Sequence, residues 1–290
     1  MNRRLCTLLA GLLLLAGTVL ADEPLSHAAR PLKLVLGVND VFCKDTACEC
    51  VHGVASREYG DFLSRLKARY GIELELVFFM DSYDLERAMR AERFDGAISK
   101  PWLLLRHQDG RGRHLRRIAD VQDTSGNASL WGTMIVLRDS PIRSLSEAAG
   151  KRLALGEADS YEKHHAVFAL LKRDAVDFPA DRRVERASCL ECLDLLLRDD
   201  VDVAVISNYA LTVDCAVEVA KPDQFRIIAE TAKIPLTSLM IDVRRVSAED
   251  TARLQRALLE LSRNALPESM HGGGFIAAQP WQPPELAALP

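Results

Sequence analysis

The chain has 290 residues, 48% of them hydrophobic and 27% charged, with 37 basic against 41 acidic side chains and a net charge of −4. That length sets a prior of roughly two domains, and the apolar share excludes disordered, collagen-like and disulfide-miniprotein classes. No long Lys/Arg block occurs, so the composition gives no support to a nucleic-acid partner.

The chain opens on Asn2-Arg3-Arg4. Leu5 to Leu20 follow, apolar apart from Thr7 and Thr18, and Val19-Leu20-Ala21 then precede Asp22-Glu23. This is the three-part plan of a cleavable secretory signal over residues 1–21, rather than of a single membrane anchor, because polar residues and no basic stop-transfer cluster come next. Cys6 departs with the signal, and loss of Arg3 and Arg4 takes the net charge from −4 to −6. The expected product is soluble, exported and periplasmic. Six cysteines remain: Cys43, Cys48, Cys50, Cys189, Cys192 and Cys215. An even set in an oxidising compartment defaults to disulfides, although a chain of this size needs no staples to bury its core.

A linker rich in Ala, Pro and Ser, residues 22–31, leads to a predicted strand at Leu32–Val38 and a polar, Cys-rich loop to Gly53. Tyr59, Phe62, Leu63, Leu66 and Tyr70 recur at helical spacing, and Gly71 stops that helix. Ile72, Leu74, Leu76 and Phe78 alternate as a half-buried strand. Asp81-Ser82 cap a helix to Glu92, and Phe94–Ile98 is a short strand. This βαβαβ order favours a parallel sheet with covering helices. A helix near Pro101-Trp102 and a basic solvated turn, Arg106–Arg117, precede a predicted edge strand at Arg117–Val121 and strands at Leu130–Leu137 and Leu153–Leu155, with a short helix at Pro141–Ala149. The alternation restarts with helix Tyr161–Lys172, strand Arg183–Arg186, helix Cys189–Leu197 and strand Val201–Ile206. Strands Phe225–Ala229 and Leu236–Asp242 and a long helix, Ala248–Arg263, complete it. Two α/β lobes fit best: residues 32–128 with 238–290, and residues 129–237. Two crossing segments, near 126–132 and 233–238, form the hinge.

Several stretches carry a resemblance. Asp95-Gly96-Ala97 runs into Ser99-Lys100-Pro101, and Met134 to Ile142 is followed by Leu145 to Ala154. Val201 to Ile206 and Gly274-Phe275 complete the pattern, which spans roughly residues 32 to 280. The chain resembles the periplasmic phosphate/phosphite/phosphonate-binding proteins of ABC importers. The resemblance implies a type II periplasmic solute-binding fold, with two parallel-type sheets, covering helices and a cleft at the hinge. It also implies a monomeric binder that does no chemistry on its ligand and carries no resident cofactor. Such a protein hands its ligand to an ABC-transporter membrane subunit or a membrane sensor kinase.

A cleft is expected on physical grounds too, because open parallel sheets bind ligands outside the carboxyl ends of their strands. Those ends present Asn39, Asp40, Ser99, Lys100, Ser160, Tyr161, Ser207 and Asn208, with His164 one turn along. Helix N-termini on the same side favour an anion. Two stretches depart from the family pattern. At the start of the second lobe's helix, small hydroxyl residues with Gly give way to Asp159-Ser160-Tyr161-Glu162, followed by Lys163-His164-His165. Asp159 and Glu162 have the spacing of a capping box; alternatively, these carboxylates repel a dianion and an imidazole ligates a metal.

The second departure is cysteine. Cys48, Cys50 and His52 project to one side if extended, and with Cys43 they suit soft or borderline ions unless a disulfide pins the loop. Cys189 and Cys192 follow a Ser188/Glu191 capping box at a helix start, a position that favours thiolate. They read as a local disulfide, a pair of metal ligands or a redox-active dithiol. Cys215 could pair with any of them. Trp102 and Trp131 read as core packing, and an aromatic cage is disfavoured. The leading expectation is capture of a phosphate- or phosphonate-like oxyanion. The runner-up keeps the fold but binds arsenite, Cu or Zn through Cys43, Cys48, Cys50, His52, Cys189 and Cys192. The third is an exported thiol oxidoreductase using Cys189 and Cys192.

Overall fold

Strand β1 (Leu32–Asn39) buries Leu32, Leu34, Leu36 and Val38 on one face, the period of two that a strand imposes. Helix α1 (Gly60–Tyr70) lays Phe62 and Leu66, one turn apart, into the same core. Its closing residue, Gly71, has φ 64° and donates to the Lys67 carbonyl, a left-handed position that glycine adopts without a Cβ penalty. The structure, a computed structural model, describes residues 30–47, 56–91, 93–105, 114–212 and 219–281. The expected signal peptide, most of the linker, Cys48, Cys50, His52 and Cys215 lie outside the described residues.

In the first sheet, β2 (Ile72–Phe78) and β3 (Gly96–Ser99) flank β1 in parallel. Helices α2 (Ser82–Arg90) and α3 (Pro101–Leu105) follow β2 and β3 in the chain. Strand β4 (Leu115–Val121) is interior, not the edge strand expected, because it is paired on both sides. The chain then makes β5 (Ser129–Leu130) and enters a second sheet with β6 (Gly132–Leu137), β7 (Leu153–Gly156), helix α4 (His165–Arg173), β8 (Arg183–Arg186), helix α5 (Cys189–Leu197), β9 (Val203–Ser207) and β10 (Phe225–Glu230). It returns through β11 (Ile234–Pro235) to β12 (Thr237–Asp242), helix α6 (Ala248–Asn264) and β13 (Phe275–Ala277). Strand order is β13-β4-β12-β3-β1-β2 in one sheet and β10-β6-β9-β7-β8 in the other. Both sheets are mixed rather than purely parallel, because β12, β4 and β13, and in the second sheet β6 and β10, add antiparallel to a parallel trio.

Each sheet is covered on both faces. On the first, α1 and α6 pack against β1, and α2 with α3 packs against Ala97 and Met240 on the other side. On the second, Met134 and Val136 of β6 face α4, while Ile135 between them faces α5.

Three local expectations need correction. The strand expected over Leu130–Leu137 divides at Trp131, since β5 pairs with β11 while β6 pairs with β9 and β10. Gly132 sits at this change of partner, where a Cβ would collide with the Glu162 carbonyl oxygen. The helix expected from Tyr161 is a 3-10 turn, Tyr161–Lys163, with α4 starting only at His165. Its capping box is absent: Ser160 precedes the turn without a side-chain cap, and the Glu162 carboxylate bonds elsewhere. Finally, Pro141–Ala149 holds only a 3-10 turn at Ser146–Ala148.

Candidate ligand cleft between the two sheets

The loops at the carboxyl ends of β1 and β3 meet the segment before α4 across a narrow cleft of about 60 Å³. Asn39, Lys100 and Trp102 line it from one side, Ser160, Tyr161 and Glu162 from the other, and Ile234 from the returning crossing. Trp102 and Tyr161 touch with ring centroids 4.3 Å apart, and Phe42, Leu130, Ala166, Ile234 and Leu236 complete an apolar cluster around them. Edge and offset contacts of this kind contribute about 0.5–1.5 kcal/mol beyond area burial.

The expected ligand residues divide by what they bond. Asp40 is fully buried and committed: its carboxylate accepts from Arg57, from the Tyr59 hydroxyl at 2.8 Å, from the Phe42 N–H at 3.3 Å and from Thr237 at 3.4 Å. Burial opposes the Arg57 charge, but Asp40 and Tyr59 more than restore it and hold the guanidinium above its usual range. The Asn39 amide donates to the Phe79 and Met80 carbonyls, and Asn208 locks Trp131 by accepting its N–H at 3.2 Å. His164 Nδ1 lies 2.8 Å from the Gly156 carbonyl, and His165 Nε2 lies 2.9 Å from that of Ala158. Asp40, Asn39, Asn208 and His164 therefore shape the rim.

Ser99 differs. It ends β3 fully buried, and its hydroxyl has no hydrogen-bond partner among the described residues. Three positions on, Trp102 lines the cleft with its indole N–H likewise buried and unpartnered. Lys100, between them, brings Nζ to 3.8 Å from the Glu162 carboxylate. Buried polar atoms are nearly always paired, so two orphan donors flanking a lysine mark this turn.

Glu162 is the centre of the opposite wall. It is 1% exposed, and it accepts from the Ser207 hydroxyl at 2.8 Å. Burial pushes the carboxyl up, but Lys100, Lys163 and Ser207 outweigh it and leave it below its usual range. Lys163, also buried, donates to the Ala187 carbonyl at 3.4 Å. Burial lowers its ammonium, yet Cys189 and Glu162 carry it above its ordinary value. The Glu162 main chain is fixed by Thr231, whose hydroxyl accepts from the Gly132 N–H at 2.8 Å and donates to the Glu162 carbonyl at 3.5 Å.

Among the described residues, Cys43, Cys189 and Cys192 are free and buried, so the local disulfide considered for Cys189 and Cys192 is not formed. Cys43 belongs to the core of the first sheet, and Cys189 and Cys192 belong to that under α5. No group of three His, Cys, Asp or Glu able to hold a metal ion occurs among the described residues. The capping box of Ser188 and Glu191 is present. Even so, burial pushes the Cys192 thiol up to about 12 and the Cys43 thiol up to about 11, against the thiolate expected of Cys192 from its place near a helix start. Cys189 accepts from the Ser207 N–H at 3.4 Å.

Sequence reasoning passes over Trp102 as packing and Glu162 as a cap. The proximity of Trp102 to Ser99-Lys100 is the available signal for the first, and the absence of a family hydroxyl at the second position is the signal there. No helix among the described residues is long and apolar enough to cross a membrane.

Residues 52–281 match the family described as ABC transporter, phosphonate, periplasmic substrate-binding protein. No curated protein sequence matches the chain. Among solved structures, a Xanthomonas citri protein bound to ATP is 21% identical with a TM-score of 0.62, over 87% of this chain and 92% of that one. A binding-protein component of an ABC phosphonate transporter from Pseudomonas aeruginosa is 18% identical, TM-score 0.57, over 86% and 82%. PhnD1 from Prochlorococcus marinus, in complex with methylphosphonate, is 13% identical, TM-score 0.57, over 86% and 93%. The fold is that of type II periplasmic binding proteins. By that match over most of its length, the chain belongs to the family of periplasmic substrate-binding proteins of phosphonate ABC transporters.

Proposed function

We propose that the chain captures a small oxyanion of the phosphonate or phosphate kind in the cleft between its two sheets and releases it unaltered to a membrane partner. The observation that carries this reading is the Ser99–Trp102 turn, with two buried donors that have no partner among the described residues and, between them, Lys100, which lines the cleft with Trp102. An unsatisfied buried donor costs about 1–3 kcal/mol, and an oxyanion seated there would satisfy both while meeting a cation. Ser160 and Tyr161 line the opposite wall and close on the ligand. The two sheets act as lobes, residues 32–128 with 238–290 and residues 129–237, hinged on the short β5–β11 pairing, Leu130 with Ile234 and Ser129 with Pro235. Residues 1–21 act as a cleaved export signal, which agrees with a family that works in the periplasm. The methylphosphonate of the Prochlorococcus protein supports the ligand class.

Calorimetric titration tests this reading with methylphosphonate, phosphate, sulfate, arsenite and zinc, before and after thiol blocking. Saturable one-to-one binding of methylphosphonate or phosphate, unaffected by blocking, is the expected result. Binding of arsenite or zinc alone, lost on blocking, would replace it with a thiol site.

A further inference from the structure

We propose that the Glu162 carboxylate is a built-in occupant of the oxyanion site: in the empty protein it takes the cation and hydroxyl that a ligand oxyanion takes on binding, and an incoming ligand must displace it. This deepens, and rests on, the oxyanion-capture reading. Glu162 lines the cleft rather than lying behind it, and its carboxylate draws partners from both sheets. Lys100, at 3.8 Å, follows the end of β3, and Ser207, donating at 2.8 Å, ends β9. These are strand-end groups on opposite sides of the cleft, the kind that a bound anion draws together in an open α/β fold.

The carboxylate is planar, anionic and acceptor-only when ionised, so it reproduces two oxygens of a phosphonate. Its position is imposed from behind, because Gly132 admits the Glu162 carbonyl at a distance no side chain would allow and Thr231 bonds it there. The Lys100–Glu162 pair joins the two sheets, and beside it the Trp102 and Tyr161 rings touch in a tilted contact. Glu162 thus acts as a competitor tethered in the site. Affinity depends on how well the ligand replaces it at Lys100 and Ser207, which places a charge threshold on what binds: a phosphonate dianion replaces a carboxylate readily, and a monoanion does so poorly.

The test is calorimetric titration, in alkaline buffer above the second ionisation of methylphosphonate so that it is a dianion, of the parent chain, Glu162→Gln and Glu162→Ala with methylphosphonate and with the monoanion methylsulfonate. Thermal melts establish that each variant is folded. Both variants should bind methylphosphonate about tenfold more tightly than the parent, the change expected when the competitor loses one charge-assisted hydrogen bond. Methylsulfonate should gain at least as much. Equal or weaker binding by a folded variant overturns the proposal and leaves Glu162 as an ordinary ion pair or a ligand contact, with oxyanion capture intact. If neither parent nor variants bind any oxyanion, both readings fail. Should the variants not fold, a crystal structure of the parent with methylphosphonate decides. Displacement of the Glu162 carboxylate from Lys100 and Ser207 supports the proposal, and unchanged contacts overturn it.

Discussion

Replacing Asp40 by Asn separates a residue that builds the cleft from one that grips the ligand. The carboxylate is completely buried against Arg57, whose side chain is 3% exposed, and it also receives Tyr59, Thr237 and the Phe42 N–H. The amide in its place keeps the shape but removes the counter-charge, stranding a guanidinium in a site with little water. Breaking a buried pair from one side costs about 3–5 kcal/mol. With a urea slope near the upper end of about 1–3 kcal/mol per M, as suits a large chain, the unfolding midpoint falls by roughly 1–2 M. Asp40→Leu combined with Arg57→Met should recover only part of the loss: neither charge is then buried alone, but the Tyr59 hydroxyl and the Phe42 N–H lose their acceptor. Methylphosphonate affinity of the folded Asp40→Asn protein should stay within about twofold of the parent, the size of a change that leaves the contacts alone. A midpoint shift below about 0.3 M, corresponding to under 1 kcal/mol on the same slope, or lost affinity at unchanged stability, would refute this reasoning and return Asp40 to the ligand.

Other outcomes follow from the same geometry. Lys100→Met should weaken methylphosphonate binding by about 10- to 150-fold in calorimetry, the equivalent of one charged hydrogen bond. Ser99→Ala should weaken it by about three- to tenfold while leaving the unliganded melting temperature unchanged or higher, because the lost hydroxyl was unsatisfied. Cys43 and Cys192, with thiols pushed up to about 11 and about 12, should resist iodoacetamide at pH 8 in the native protein and label fully in urea, as read by mass spectrometry. Glu162 is held below its usual carboxylate range when folded. Its contribution to stability is therefore complete above the unfolded carboxylate value and disappears as pH falls through the lower folded one. Urea midpoints should accordingly fall more between neutral pH and about pH 3 for the parent than for Glu162→Gln.

The alternation of Leu32, Leu34, Leu36 and Val38, and the spacing of Phe62 and Leu66 before Gly71, make the first βαβ unit legible, because burial periodicity is a local property. The break at Trp131 is not legible. Leu130 and Thr133 look equally strand-like, and only the tertiary choice of partner, Ile234 for one and β9 for the other, divides them. Ser99 and Lys100 can be found because strand ends are predictable once strands are. Asp40 reads as a ligand group by the same logic, since nothing in the sequence places Arg57, 17 residues away, beneath it. Glu162 meets the spacing of a cap, yet Ser207, 45 residues on, and Lys100 outcompete the local backbone for its carboxylate. The cysteine-rich loop suggests ligation through its spacing. Its described part instead tucks Cys43 into one core and Ala47 into another.

The most direct test is a crystal structure grown with methylarsonate, whose arsenic gives an anomalous signal at the position of phosphorus. The account predicts a single strong peak between the two sheets, within hydrogen-bonding reach of the Ser99 hydroxyl, the Trp102 indole N–H and the Lys100 ammonium. A cleft with no peak, or arsenic found only at the cysteine sulfurs, would contradict it.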